Sequence, residues 1–167
     1  MSTSRDALEA AAERTLGLAK SVGCTLATVE SCTAGALAAL LADAPGASER
    51  FHGGFVVYTK ANKVAAVGVP PDLIKEHTAV SREVVLAMAD GALKRCPADV
   101  VLAITGVAGP APDEDGNPVG LLHVAVMSRK GETRHLERRY GPGVKQDICH
   151  AAMLLALSLA DDLIKDA

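Results

Sequence analysis

Aromatic side chains are almost missing from this chain: Phe51, Phe55, Tyr58 and Tyr140 are all there are in 167 residues, and tryptophan is absent. With 17 basic against 20 acidic residues the net charge is −3. A nucleic-acid binder needs a basic face or a platform of stacked rings, and neither is available. Long apolar runs are missing too. The nearest approaches, Ala34 to Ala42 and Ala151 to Ala160, fall well short of the roughly 18 residues that span a bilayer, so no membrane segment is expected. Cys24, Cys32, Cys96 and Cys149 lie apart without C-x-x-C spacing, which predicts four reduced thiols. The five histidines are dispersed as well, so neither a metal nor another cofactor is expected. Asp6, Glu9 and Glu13 near the start fit neither a secretory signal nor an acid-poor transit peptide, and a cytoplasmic protein is expected.

The length suits one domain, 1–167, with no internal repeat, linker or low-complexity tract. Leu8, Ala12, Leu16 and Ala19 form the stripe of an opening helix that Gly23 stops. Thr25 to Glu30 alternates as a strand and runs through the small residues Ser31 to Gly35 into an Ala/Leu helix ending near Pro45-Gly46. A second strand, Phe51 to Tyr58, feeds a helix from Lys60 to Gly68. A short helix over Asp72 to His77 and a longer one opened by Ser81 and closed at Cys96-Pro97 follow. Val100 to Thr105 is uniformly apolar, as in a strand covered on both faces, and it enters a long loop from Gly106 to Pro118. Gly120 to Met127 and Glu132 to Tyr140 read as a hairpin turning at Ser128 to Gly131. The final helix is expected to bury Ile148, Ala152, Leu155, Leu159 and Leu163. Strands alternating with helices, then a hairpin and a helix, predict a three-layer α/β/α domain on a mixed, mostly parallel five-stranded sheet.

Ligands of such sheets sit beyond the carboxyl ends of the strands. Three segments end there: Glu30 to Thr33, Tyr58 to Lys63, and Thr105 to Pro110. Ser31, where strand gives way to helix, suits either an N-cap hydroxyl or a nucleophile backed by the amides of the next turn. No histidine lies on the three segments, so the base for such a serine would be a lysine. Its pKa would have to fall from ~10.4 to ~7–8, roughly 3–5 kcal/mol, through burial or a neighbouring cation. Lys63, followed by Val64, Ala65 and Ala66, is placed for partial burial, although a solvated helix lysine fits as well. Tyr58 could relay or orient a proton, or simply pack at a strand edge. Cys32 suits a low-pKa thiol at a helix start or a small buried one. Gly106 and Gly109 belong to a turn that is not a P-loop, since no Lys-Ser/Thr follows. These residues alone point to a small-molecule site and a hydrolase.

As a set, Glu30-Ser31-Cys32-Thr33-Ala34-Gly35, Pro45 to Ser48 with Phe51-x-Gly53-Gly54, Tyr58 with Lys63, Ala79-Val80-Ser81, Thr105 to Pro110 and Pro118-Val119-Gly120 resemble the CinA C-terminal domain family, collinearly from about Thr25 to Ile164. The resemblance implies a nicotinamide-nucleotide amidohydrolase that converts nicotinamide mononucleotide to nicotinate mononucleotide and ammonia without a metal. It places the nucleophile on Ser31, the base on Lys63 and an assisting tyrosine on Tyr58. It also assigns substrate binding to Cys32, Thr33, Thr105, Gly106, Gly109 and Lys145, and implies a homo-oligomer. The chain departs from the family in two places. Gly143-Val144-Lys145 stands where Gly-Asp-Arg is usual, and Ala111 to Asn117 carries three acids where a lysine often precedes Pro-Val-Gly. Carboxylates pointing inward would weaken the hold on a phosphate. The nucleotide pyrophosphatase domain of longer relatives has no counterpart, so that activity is not expected. The alternative is a weak or silent domain of the same fold that binds a nucleotide-like ligand or a protein partner.

Overall fold

Five strands form one sheet in the order β2-β1-β3-β4-β5: β1 is Leu26–Glu30, β2 Phe51–Val56, β3 Val100–Gly106, β4 Leu121–Ser128 and β5 Thr133–Arg139. The computed structural model describes residues 5–166. β1 pairs in parallel with β2 and β3, whereas β4 is antiparallel to β3 and β5 to β4, so four of the five strands point one way. Helices α1 (Arg5–Val22), α2 (Ala36–Asp43), α3 (Ala47–Arg50) and α7 (Lys145–Lys165) cover one face. The other face carries α4 (Lys60–Val67), α5 (Pro71–His77) and α6 (Arg82–Leu93). This is the three-layer α/β/α arrangement.

The period of two distributes the core. Along β3, Val100, Leu102 and Ile104 join the α1/α2/α7 core, while Val101 and Ala103 join that of α4 to α6. That double burial explains the uniformly apolar stretch. The hairpin closes through Ser128 N–H to the Glu132 carbonyl (2.8 Å) and Gly131 N–H to the Ser128 carbonyl (3.0 Å). On α7, Ile148, Ala152, Leu159 and Leu163 are buried, but Leu155 is half-buried and Met153, Ala156 and Ala160 take core positions. The stripe is rotated from the expected one because α7 packs on α1 as well as on the sheet.

Two local features shape the site. β2 stops at Val56, so Tyr58 lies beyond the strand. The helix after β1 starts only at Ala36, leaving Ser31 to Gly35 as an open turn. The segments after β1 and β3 leave neighbouring parallel strands at their carboxyl ends, which is where open α/β sheets hold their ligands. No helix among the described residues is long and apolar enough to cross a membrane.

Candidate active site

Glu30, the last residue of β1, is fully buried and anchors the turn that follows. Its carboxylate accepts from the Thr33 hydroxyl (2.7 Å) and from the amides of Gly35 (3.1 Å), Leu37 (3.1 Å) and Ala38 (2.8 Å). The three amides are otherwise orphaned groups at the start of α2, and a carboxylate at a helix N-terminus also meets the positive end of its dipole. Ala34 (φ 50°) and Gly35 (φ 91°) take left-handed conformations that swing the helix start back onto Glu30. Ser31 is therefore not the N-cap. Among the described residues, the amides of Cys32 and Thr33 find no acceptor, so they remain available as donors beside Ser31.

Lys63 lies in the middle of α4, whose N-cap is Thr59, through its hydroxyl bond from the Asn62 amide (3.1 Å). Its residue exposure is 1%, so this lysine is among the most buried large side chains of the molecule. Nζ reaches Ser31 Oγ at 2.8 Å and donates also to the Val57 carbonyl (2.9 Å) and, at 3.5 Å, to that of Tyr58. Burial, helped by the charge of Lys60 one turn away, lowers its pKa from the usual 10.5 to about 8. Near neutral pH a usable fraction is the free amine, which can take a proton from the serine it touches. Ser31 Oγ is in turn 3.5 Å from the Tyr58 carbonyl. Burial pushes the Cys32 thiol up to about 12, which leaves it protonated and removes it as a nucleophile.

A cavity of about 390 Å³ opens over this pair. Ser31, Cys32, Tyr58, Lys63, Gly106, Gly109 and Lys145 all line it, so sequence reasoning had gathered most of one wall. Tyr58 contributes its backbone to the pair, while its side chain, in a residue 57% exposed, makes no hydrogen bond to Ser31 or Lys63 among the described residues. The early end of β2 is the reason. Thr33 and Thr105, expected as direct contacts, do not reach the wall. The Thr33 hydroxyl is bound to Glu30, and Thr105 is fully buried with its hydroxyl donating to the Ala79 carbonyl (2.9 Å). Thr105 thus tethers Ala79, which does line the cavity. Gly106 is a close approach: a Cβ there would lie 2.4 Å from Leu122 Cδ2 and 2.9 Å from the Leu121 carbonyl.

The acidic loop is ordered by its own side chains. Asp113 accepts from the amides of Asp115 (3.0 Å) and Asn117 (2.8 Å), and the Asn117 amide group bridges Asp113 and the Thr78 hydroxyl. Lys60 pairs with Glu114 (2.9 Å) and Asp115 (2.8 Å), which raises its own pKa. Asp113 and Glu114 stand on the cavity wall, so two of the loop's three acids face the site, while Asp115 lies outside that wall. Sequence reasoning missed Glu30 and Lys60 as working residues. The signal for Glu30 was a lone carboxylate ending an apolar strand just before a helix, while Lys60 had none, because its partners lie more than fifty residues away. Among the described residues no group of three or more His, Cys, Asp or Glu side chains is placed to hold a metal ion.

A three-layer α/β domain with a buried serine–lysine pair at the strand ends is the class of protein that fold and site define. The profile of the CinA C-terminal domain matches residues 8–164, and the chain belongs to that family. It is 43% identical over 145 residues to a CinA-like protein of Mycobacterium sp. (strain MCS), an alignment covering 86% of this chain and 34% of that protein. It is 46% identical over 123 residues to a CinA-like protein of Prochlorococcus marinus (strain MIT 9313), covering 74% and 29%. The chain thus spans about a third of the length of these curated relatives. The crystal structure of competence/damage inducible protein CihA from Agrobacterium tumefaciens superposes with a TM-score of 0.89 at 37% identity, covering 93% of this chain and 94% of that one. A CinA superfamily protein from Klebsiella pneumoniae 700603 gives 0.91 at 28% identity, covering 96% and 99%.

Proposed function

We propose that the protein is an amidohydrolase that deamidates nicotinamide mononucleotide to nicotinate mononucleotide and ammonia. The observation that carries the reading is the 2.8 Å contact between Ser31 Oγ and the buried amine of Lys63, at the floor of a small-molecule cavity. The substrate comes from the resemblance of the motifs around that pair. Neutral Lys63 takes the Ser31 proton as Oγ attacks the carboxamide carbon. The carbonyl oxygen becomes an oxyanion beside the amides of Cys32 and Thr33, which find no other acceptor among the described residues. The Lys63 ammonium gives its proton to the departing nitrogen, the C–N bond breaks and ammonia leaves. Neutral again, Lys63 takes a proton from a water that attacks the Ser31 ester and returns it to Ser31 Oγ as the C–O bond breaks, and the acid product leaves and gives its remaining proton to solvent.

The amides of Ala108 and Gly109 on the opposite wall likewise find no acceptor among the described residues and are placed for polar groups of the substrate. Lys145, at the first turn of α7, supplies a rim cation. Tyr58 serves as a rim wall that orients the ring of the substrate. Assembly into homo-oligomers, read by light scattering, and a cytoplasmic location belong to the same reading.

The test is ammonia release from nicotinamide mononucleotide by purified protein, with Ser31→Ala as control. Release above buffer that disappears in the variant supports the reading. No release by folded protein favours a binding domain without turnover, a second reading for which the acids facing the cavity speak.

A further inference from the structure

Apart from glycines, only Ala34 and Thr78 have a positive φ among the described residues. Thr78 is the costlier of the two, because φ 67° with ψ 167° belongs to a region that is essentially reserved for glycine, and its side chain is β-branched. Such a conformation persists only where the surroundings fix it, and here they do so at three points. The Thr78 carbonyl accepts from the Ser81 hydroxyl (3.2 Å), the carbonyl of the next residue, Ala79, accepts from the Thr105 hydroxyl (2.9 Å), and the Thr78 hydroxyl accepts from the side-chain amide of Asn117 (3.0 Å). The first two bonds fix the connection between α5 and α6. The third reaches across to the acidic loop. Residues 113–117 close on themselves through Asp113, and among the described residues hydrogen bonds and ion pairs tie them to the rest of the chain at two places. One is Lys60, whose pairs with Glu114 and Asp115 are partly exposed and therefore open to screening; the other is the neutral bond at Thr78. Both tied segments reach the cavity, since Ala79, Asp113 and Glu114 all line it.

We propose that Thr78 is a positioning residue of the cavity: its hydroxyl, presented by an unfavourable backbone conformation, latches the acidic loop to the α5–α6 connection and so sets the wall that carries Ala79, Asp113 and Glu114. The inference rests on the amidohydrolase reading for its kinetic effect and deepens it. A wall ordered before the substrate arrives lowers the ordering cost of binding, so the latch acts on KM. Ser31 and Lys63 are held by β1 and α4 and by their bonds to each other and to the Val57 carbonyl, so kcat is largely spared. Conformational strain and function thereby pull apart at one residue: glycine suits the backbone there and cannot supply the hydroxyl.

The experiment compares Thr78→Gly, Thr78→Val and Thr78→Ser with the wild type by melting temperature, by kcat and KM for ammonia release from nicotinamide mononucleotide, and by hydrogen exchange of the Asp115, Gly116 and Asn117 amides, all at high salt to weaken the tie through Lys60. Thr78→Gly should melt no lower than the wild type, yet raise KM about fivefold or more with kcat within about twofold, and speed exchange in the loop about tenfold. Thr78→Val, which keeps the strain and the shape but loses the hydroxyl, should raise KM alike and melt lower. Thr78→Ser, which keeps the hydroxyl, should restore the wild-type KM and loop protection. A purely structural residue would make KM follow the melting temperature, so Thr78→Gly with an unchanged or lower KM, or Thr78→Ser with a KM as high as that of Thr78→Val, overturns the proposal and leaves the amidohydrolase reading intact. Absence of ammonia release by the wild type overturns that reading, and exchange then decides the latch alone: loop protection unchanged in Thr78→Gly overturns it as well.

Discussion

Replacing Ser31 by alanine takes a hydroxyl from a turn without changing the volume of the core. Turnover of the amide should fall about a thousandfold or more, with melting temperature and ligand affinity nearly unchanged. Retention of more than a small fraction of the rate would remove Ser31 as the nucleophile. Lys63→Arg should be equally inactive near neutral pH, since a guanidinium cannot give up its proton and so cannot act as the base. An active arginine enzyme would end the serine–lysine mechanism. Tyr58→Phe is a sharper test of the geometry. With no hydrogen bond from the phenol to Ser31 or Lys63 among the described residues, kcat should stay within about twofold, and a large loss in kcat would show that the phenol moves in to carry a proton. Ser31, Lys63 and the strand-end position were legible in the sequence because they follow from residue type and local order. The proton-transfer contact was not, since it joins side chains 32 residues apart whose distance is fixed by β1 pairing with β2.

At the scale of elements, the site depends on how β1 turns into α2 and on how α4 is held against the sheet. Glu30→Gln keeps the shape but replaces a carboxylate that serves four donors with an amide that has one acceptor oxygen. It should cost roughly 2–3 kcal/mol in urea unfolding and lower kcat more than it raises KM, because the amides of Cys32 and Thr33 lose their fixed position. A stability loss with kcat preserved would confine Glu30 to the fold. α4 is positioned by α6, which approaches so closely that a Cβ on Gly91 would stand only 1.8 Å from the Val67 carbonyl. Gly91→Ala should therefore push the end of α4 away from α6 and destabilise by about 1–3 kcal/mol or more, read as a lower melting temperature. An unchanged melting temperature would show that the two helices part without strain. Order and type of nearly every element could be read from periodicity and turn residues. The early end of β2 could not, because the strand-like residues run on to Tyr58, and neither could the hold of Glu30 on three amides of the next helix, which depends on the left-handed turn at Ala34 and Gly35.

For the whole molecule, a buried lysine makes stability depend on pH. The folded chain releases the Lys63 proton near pH 8, whereas an unfolded lysine keeps it to about 10.5, so the unfolded state binds more protons between those values. Stability contributed at this site is lowest below about pH 8 and rises as the pH climbs toward 10.5. Lys63→Met should accordingly fold well and be more stable than the wild type near neutral pH, by up to about 3 kcal/mol, less the hydrogen bonds lost at Val57 and Ser31. That advantage should shrink by roughly 2 kcal/mol between about pH 7 and pH 9.5, as urea unfolding at both values would show. The most direct test of the serine–lysine pair is the titration of the lysine ε-carbons by NMR, with Lys63→Met assigning the resonance. One resonance should titrate near pH 8 and be absent from the variant. If Lys63 titrates near the ordinary 10.5 of a lysine, it is no base at neutral pH and the mechanism built on it is wrong.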